Sequence, residues 1–337
     1  MTFSQFTYKV KSRLWNFLVQ HSLGKRIYPF LYKSYWHYKF AKNKKNTGAN
    51  ITCYFAARPN PGAGIGHQLA NWIAGYWFAK QFGLHFAHIP FSTQKWENFL
   101  GFGEDEKKIN DLVKSGYKIR KLPMFDEYKL QEMTLTKAII QSYSGKKIVL
   151  LAEQDQGYTD QYGVREDIQQ KFNHAPARLN DKIVYNPEHF NIAVHVRRTV
   201  IIDGKVTEEN ETARALRWLS NDYYEKVLKQ VLDNIKVAKP ISIFLFSTGN
   251  PEEFAEFSKY GNVRFCSDMD EYTSFLHLIR ADLLITSKSS FSYKSALMNN
   301  AIKVCPRNFW HNYPDRPNWI LVENDGTFDT NQLNHAL

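Results

Sequence analysis

The chain has 337 residues, 43% of them apolar and 15% aromatic, with 44 Lys and Arg against 33 Asp and Glu, which is enough to bury the cores of two ordinary domains. Three scattered cysteines, Cys53, Cys266 and Cys305, form neither a disulfide framework nor a metal-ligand spacing, the usage of a reducing compartment. The charge excess is local: residues 1–47 hold ten Lys and Arg, twelve aromatics and no acid, leaving 34 basic against 33 acidic residues elsewhere, so the basic pI does not call for a nucleic-acid-binding body.

Within that leader no uncharged apolar run approaches the ~20 residues that span a bilayer, and a signal-peptide core is missing. Two readings stand for it. It lies on an anionic membrane surface, or it packs on the body as a helical extension with its lysines in water. The polar stretch KNKKNTGAN, residues 42–50, closes it. Beyond it, apolar β-rich runs at 51–57, 85–91, 147–153, 190–196, 241–247, 263–267, 283–287, 302–306 and 319–324 alternate with helical patterns, among them 67–82 and 222–235. Such alternation predicts parallel sheets covered by helices on both faces. A break at 174–188, mixing prolines with polar residues, divides the body into 48–180 and 181–337.

FNIAVHVRRTV, residues 190–200, is a buried strand that ends in His195, Arg197 and Arg198. Ligands of parallel sheets bind beyond the carboxyl ends of the strands, where two guanidiniums fit phosphate oxygens in a fork geometry lysine lacks; the competing reading is an ion-pair cluster at a domain seam. PGAGIGHQLANW, residues 61–72, sets Gly62, Gly64 and Gly66 between a strand and a helix. It is not the dinucleotide fingerprint, so it is either a simple tight turn or a helix start offering amides to an anion. In ITSKSSFSYKSALMNN, residues 285–300, Ser289 or Ser290 caps a helix, and the same amides and hydroxyls suit a diphosphate. Asp268 and Asp270 in SDMDEY are either a cation-holding pair or, better matched to the helix that follows, its caps. His85 and His88 fall on opposite faces of a strand, against a shared metal. Walker, GxSxG and HExxH patterns are absent from the sequence.

In order and spacing these fragments resemble the GDP-fucose-dependent fucosyltransferases of the α1,2, α1,6 and protein-O-fucosylating superfamily. HVRRT resembles the H-x-R-R motif, PGAGIGHQLANWIAGYWFAKQFG the N-terminal glycine loop and helix, EQDQGYTDQYGVREDIQQKF (153–172) the glutamine-containing stretch ahead of the donor domain, LSNDYYEKVL (219–228) the segment after the arginines, FLFSTGN (244–250) the FSDD strand, and KSSFSYKSAL the NSSFSWW region. The resemblance implies a GT-B-like α/β fold, two Rossmann-like domains facing across a cleft, with residues 1–47 as a basic extension, 48–180 on the acceptor side and 181–337 on the donor side. It implies an inverting transfer of fucose from GDP-fucose to a glycan or lipid-linked glycan hydroxyl, with no metal and no cofactor besides the sugar donor. The cysteine usage adds a cytoplasmic location, the first reading of the leader adds peripheral membrane binding, and the near-neutral body calls for no nucleic acid. Carried over by position, Arg197 and Arg198 hold the diphosphate, His195 the nucleotide, Ser289, Ser290 and Phe291 its phosphate side, and Gly64, Gly66 and His67 the donor from the other half; Thr199, Thr248 and Asp282 complete the substrate contacts. Arg198 stabilises the leaving group. Inversion also asks for a base to take the acceptor proton, and the loop after the arginines offers Asp203, Glu208 or Glu209 without choosing among them. The pattern departs where Thr199-Val200 replaces the residues after RR, where Gly249-Asn250 replaces the paired aspartates, and where Tyr293 and Lys294 replace tryptophans. Two other functions therefore remain: a transferase of another nucleotide sugar, metal-dependent through Asp268 and Asp270, and a glycan- or nucleotide-binding relative without catalysis.

Overall fold

A computed structural model of the chain describes residues 3–41, 52–60, 62–152, 161–198, 200–202, 205–207, 211, 216–309 and 312–337. Thr199, Asp203, Glu208 and Glu209 lie outside the described residues. The strands are β1 (Tyr54–Ala57), β2 (His85–His88), β3 (Lys107–Lys108), β4 (Lys118–Lys121), β5 (Ile148–Ala152), β6 (Phe190–Val196), β7 (Val200–Ile202), β8 (Lys205–Thr207), β9 (Ile241–Ser247), β10 (Val263–Phe265), β11 (Leu283–Ile285), β12 (Ile302–Pro306) and β13 (Trp319–Val322). The helices are α1 (Phe3–Ser22), α2 (Lys33–Phe40), α3 (Ile65–Gln81), α4 (Gln94–Leu100), α5 (Ile109–Lys114), α6 (Leu130–Gln141), α7 (Arg165–His174), α8 (Asn221–Asn234), α9 (Glu271–Arg280), α10 (Ser290–Met298) and α11 (Asn331–His335). The result is an α/β protein with two parallel sheets.

Two compact units form, each discontinuous in sequence. One gathers residues 1–58, 78–89 and 107–158, the other 59–77, 90–106 and 159–337. The glycine loop and the start of α3 thus belong with the second unit.

In the first unit the sheet order is β3-β2-β1-β5-β4, every pair parallel. Its centre is fully apolar, with Ala56, Ala87, Val149 and Leu151 packed on Ile109 and Leu112 of α5. The edges are different: Lys107-Lys108 of β3 and Lys118, Ile119 and Lys121 of β4 are exposed, a short charged edge that resists pairing with another chain. The leader's α2 is docked here. Ser34 Oγ donates to the Lys121 carbonyl at 2.6 Å, the Met124 amide donates to Tyr28 Oη at 3.0 Å, and Tyr32 and Tyr35 are buried. The packed-extension reading therefore describes α2, whereas α1 leaves Val10, Leu14, Phe17 and Leu18 in solvent.

In the second unit six parallel strands run β10-β9-β6-β11-β12-β13. The chain proceeds from β6 outward to β9 and β10, then returns to the other side of β6 as β11, β12 and β13. That reversal beside β6 is a topological switch point, where a crevice opens beyond the strand carboxyl ends. Ile192, Val194, Ile243, Leu245, Leu283, Ile285, Val304 and Ile320 fill the core beneath helices that include α8. The antiparallel β7–β8 pair follows the arginines, a local departure from the otherwise parallel plan.

Candidate functional site

At the switch point, a cavity within the second unit is lined by the ends of β6 (His195 to Arg198), β9 (Phe246 to Thr248) and β11 (Lys288 to Phe291), and by Ala63 to Gln68 of the glycine loop. The sequence-predicted Gly64, Gly66, His67, His195, Arg197, Arg198, Thr248, Ser289, Ser290 and Phe291 all border it. Beyond Val196 the strand stops, so both arginines leave the sheet together. Arg197 is buried at 8% exposure. Arg198 is clamped: its guanidinium donates to the carbonyls of Arg197 at 3.1 Å and Leu219 at 3.2 Å and to Asn221 Oδ1, and lies 4.3 Å from the Trp218 ring centre. These carbonyls, the amide oxygen and the ring fix the orientation of the guanidinium.

His195 is held by Ser287, whose Oγ lies 2.8 Å from Nδ1, and Ser287 in turn accepts the Tyr313 hydroxyl on its carbonyl at 2.7 Å. Burial first, then the Arg197 charge, push the His195 pKa down to about 3, so the ring is neutral at pH 7 and Nε2 remains for a ligand.

Two helices start at this cavity. Ser289 caps α10, its Oγ accepting from the Phe291 amide at 3.2 Å, and the Gly64 carbonyl accepts the first bonds of α3 from His67 and Gln68. Such ends carry partial positive charge. They approach closely because residue 66 has no side chain: a Cβ there would lie 2.6 Å from Ser290 C, 2.7 Å from Ser290 Cβ and 2.8 Å from the Phe291 amide nitrogen. Gly66→Ala is expected to destabilise the chain by about 1–3 kcal/mol in urea unfolding, because backbone atoms must yield, and to weaken any ligand held between the two helix starts. Gln68 pins the loop, its Nε2 donating to the Ala63 carbonyl and Ser92 Oγ, each at 2.8 Å.

Asp282 is a correction to the expected site. It stands at the opposite, amino-terminal end of β11, where its Oδ2 accepts from the Asn191 amide at 2.8 Å and from Asn191 Nδ2 at 3.1 Å, and it does not border the cavity. Asp270 caps α9, accepting from the Thr273 amide at 2.8 Å, and pairs with Lys95 at 3.0 Å; Asp268 pairs with Arg264 at 3.7 Å. Capping is thus what Asp270 does. Among the described residues no group of three or more His, Cys, Asp or Glu could hold a metal ion.

The departures from the family pattern have local causes. A Cβ on Gly249 would meet Glu253 Oε2 at 2.9 Å and the Phe254 ring at 3.1 Å, while Asn250 and Glu253 form a capping box on the turn at Pro251–Tyr260. Tyr293 packs between Tyr313 and Trp319, and Lys294 is fully buried against Gln161.

Sequence reasoning missed Gln68, Trp96, Arg217, Glu271 and Lys288, all of which line the cavity. Lys288 has no hydrogen-bond or ion-pair partner among the described residues, and partial burial lowers its pKa. Glu271 is the only carboxylate on the lining among the described residues; burial raises its pKa, against hydrogen bonds from Tyr272 and Trp96.

No protein-family model matches the chain, and no curated protein does. Among solved structures it is similar to the apo form of POFUT1, at 13% identity over 76% of this chain and 97% of that one with a TM-score of 0.45. It is also similar to the fucosyltransferase NodZ from Bradyrhizobium, at 12% identity over 82% of this chain and 98% of that one with a TM-score of 0.47, and to NodZ α-1,6-fucosyltransferase co-crystallized with GDP, at 12%, 82%, 97% and 0.45.

Proposed function

We propose that the protein is an inverting, metal-independent glycosyltransferase that moves fucose from GDP-fucose to a hydroxyl of a glycan acceptor. One observation carries the reading: Arg197, Arg198, Arg217 and Lys288 meet two helix starts around one cavity whose described lining holds a single carboxylate. That is a receptacle for a multiply charged anion. A nucleoside diphosphate leaving group develops negative charge as the glycosidic bond breaks, and fixed guanidiniums stabilise it without deprotonating. The same cations do the work otherwise given to a divalent ion. His195 Nε2 contacts the nucleotide or its β-phosphate, and Ser289 and Ser290 bind the phosphate oxygens. The base for the acceptor proton is one of Asp203, Glu208 and Glu209. The motif resemblance supplies the fucosyl part of the proposal and implies the acceptor-side role of residues 48–180.

Glu271 supplies the base preference. Guanine offers N1–H and N2–H donors that a carboxylate accepts in pairs, whereas uracil has no such edge. Glu271→Gln is expected to weaken GDP binding by about 10–100-fold, the value of a charged hydrogen bond, and to erase the preference for GDP over inosine diphosphate. A thermal-shift panel of GDP-fucose, GDP-mannose, UDP-sugars and free nucleotides tests the whole reading, since a ligand of the folded state raises its apparent stability. GDP-fucose should give the largest shift among sugars, and donor turnover should survive EDTA. A shift by a uridine sugar alone would remove the donor assignment, and loss of turnover in EDTA would favour the metal-dependent alternative.

A further inference from the structure

The first unit carries a groove that the transfer chemistry does not use. Lys33 of α2, Lys118 and Arg120 of β4, and Lys146 line it, and among the described residues none of these cations pairs with a carboxylate. Residues 1–47 contain no acid that could do so. Elsewhere in the chain lysines do find carboxylates, as Lys171 does with Glu106 at 2.7 Å and Lys229 with Asp233 at 2.5 Å. The groove is organised around His37, whose Nδ1 lies 3.0 Å from Ser142 Oγ, whose ring stacks on Tyr143 at 3.9 Å and whose Nε2 accepts from Lys146 Nζ at 2.7 Å. Burial, Lys146 and Arg120 lower the His37 pKa, which keeps it an acceptor that holds the ammonium in place.

Beside the cations stands an aromatic ridge. Phe30 stacks on Trp36 at 5.4 Å and Trp36 on Phe40 at 5.9 Å, and these rings are 42%, 42% and 76% exposed. The Trp36 indole donates to the Phe30 carbonyl at 2.8 Å, fixing its orientation. In α1 a second apolar stripe, Val10, Leu14, Phe17 and Leu18, follows the i, i+4, i+7, i+8 spacing of one helix face and is exposed along its length. Among the described residues no helix is long and apolar enough to cross a membrane.

We propose that this groove and the aromatic ridge beside it dock on an anionic phospholipid surface, the cations taking headgroup phosphates and carboxylates while the rings enter the interface. The charge complement is one-sided, aromatic rings suit the headgroup level, and each basic side chain near such a surface adds to binding. A nucleic acid would use the cations and the rings but leaves Val10, Leu14 and Leu18 of the α1 stripe without an apolar cover, which hydrocarbon supplies. The proposal is independent of the donor chemistry. It is tested on the full chain by sedimentation with phosphatidylcholine vesicles, with and without about one third phosphatidylserine, alongside a single-stranded oligonucleotide and competition by inorganic phosphate. Binding is expected only to the phosphatidylserine vesicles. Trp36→Ser with Phe40→Ser, and separately Lys33→Glu with Lys118→Glu, should each lower it about tenfold or more, with the melting temperature and the nucleotide-induced shift unchanged. Equal binding to both vesicles, binding to neither, tighter binding to the oligonucleotide, or full displacement by phosphate with the aromatic variant binding like the wild type would each overturn it.

Discussion

Arg197→Ala is expected to lower donor turnover by about 10²–10³-fold, the cost of removing one preorganised group from a developing oxyanion, while leaving the melting temperature within a few degrees. The side chain stands at the carboxyl end of β6, buried to 8% exposure, on the wall shared with Lys288 and the start of α10. Its effect should appear in both kcat and kcat/KM, because charge on the leaving diphosphate is larger in the transition state than in the bound donor. Arg197→Lys keeps the charge and loses the planar fork, so it should recover only part of the rate. Arg198→Ala makes the useful contrast. That guanidinium also ties Leu219, Asn221 and Trp218 together, so its loss should lower stability as well as rate. Wild-type turnover in Arg197→Ala would end the diphosphate assignment.

The parts of the fold that the sequence displays are those whose burial is uniform. β6, β9 and β12 read with their observed bounds, 190–196, 241–247 and 302–306, because an interior parallel strand is covered on both faces and its run is mainly apolar, even where it carries Asn191, Ser242 or Lys303. β4, with Lys118, Arg120 and Lys121 in four residues, shows no such run, because an edge strand is selected for charge. The two-residue β3 fails for the same reason. At the site, Arg197, Arg198, Ser289 and Ser290 stand out as polar groups placed abruptly after apolar runs. Glu271 does not, since an acid in the first turn of a helix already has an electrostatic reason to be there, and it borders the cavity only because α9 starts beside Trp96 of α4, whose ring centre lies 4.2 Å from that of Tyr272. Lys288 carried a usable signal, standing next to the capping serine at the end of β11, but its lack of a partner is visible only in three dimensions. Asp282 shows the converse error: adjacency to a strand does not say which end of it faces the ligand.

Stability should rise between pH 7 and about pH 8.5, where most domains are flat or falling. Two lysines of the second unit are fully enclosed, Lys294 against Gln161 and Lys303 beside the Trp319 ring, the latter donating to the Asn299 carbonyl at 3.3 Å and the Ala301 carbonyl at 2.6 Å. Neither has a carboxylate partner among the described residues. Desolvation brings Lys303 down to about 7 and holds Lys294 well below its ordinary value. In the unfolded chain both ionise near pH 10.4. Between those limits the unfolded state binds more protons than the folded one, so raising the pH favours folding by up to about 1.4 kcal/mol per unit for each lysine. The buried thiols reverse the sign higher up: Cys53 is pushed to about 11 and Cys266 and Cys305 to about 12 by desolvation, so above the ordinary thiol range near pH 8.5 the folded state retains protons that the unfolded state releases. The urea midpoint should therefore climb from pH 7 to 8.5 by an amount worth about 2–4 kcal/mol, pass a maximum and fall. Lys303→Met should remove roughly half of the climb, because it eliminates one of two like contributions, without shifting the fall. A midpoint that is level or declining from pH 7 upward would show that these amines reach water or an anion in the folded state, and that the core around β12 and α10 opens far more readily than its packing indicates.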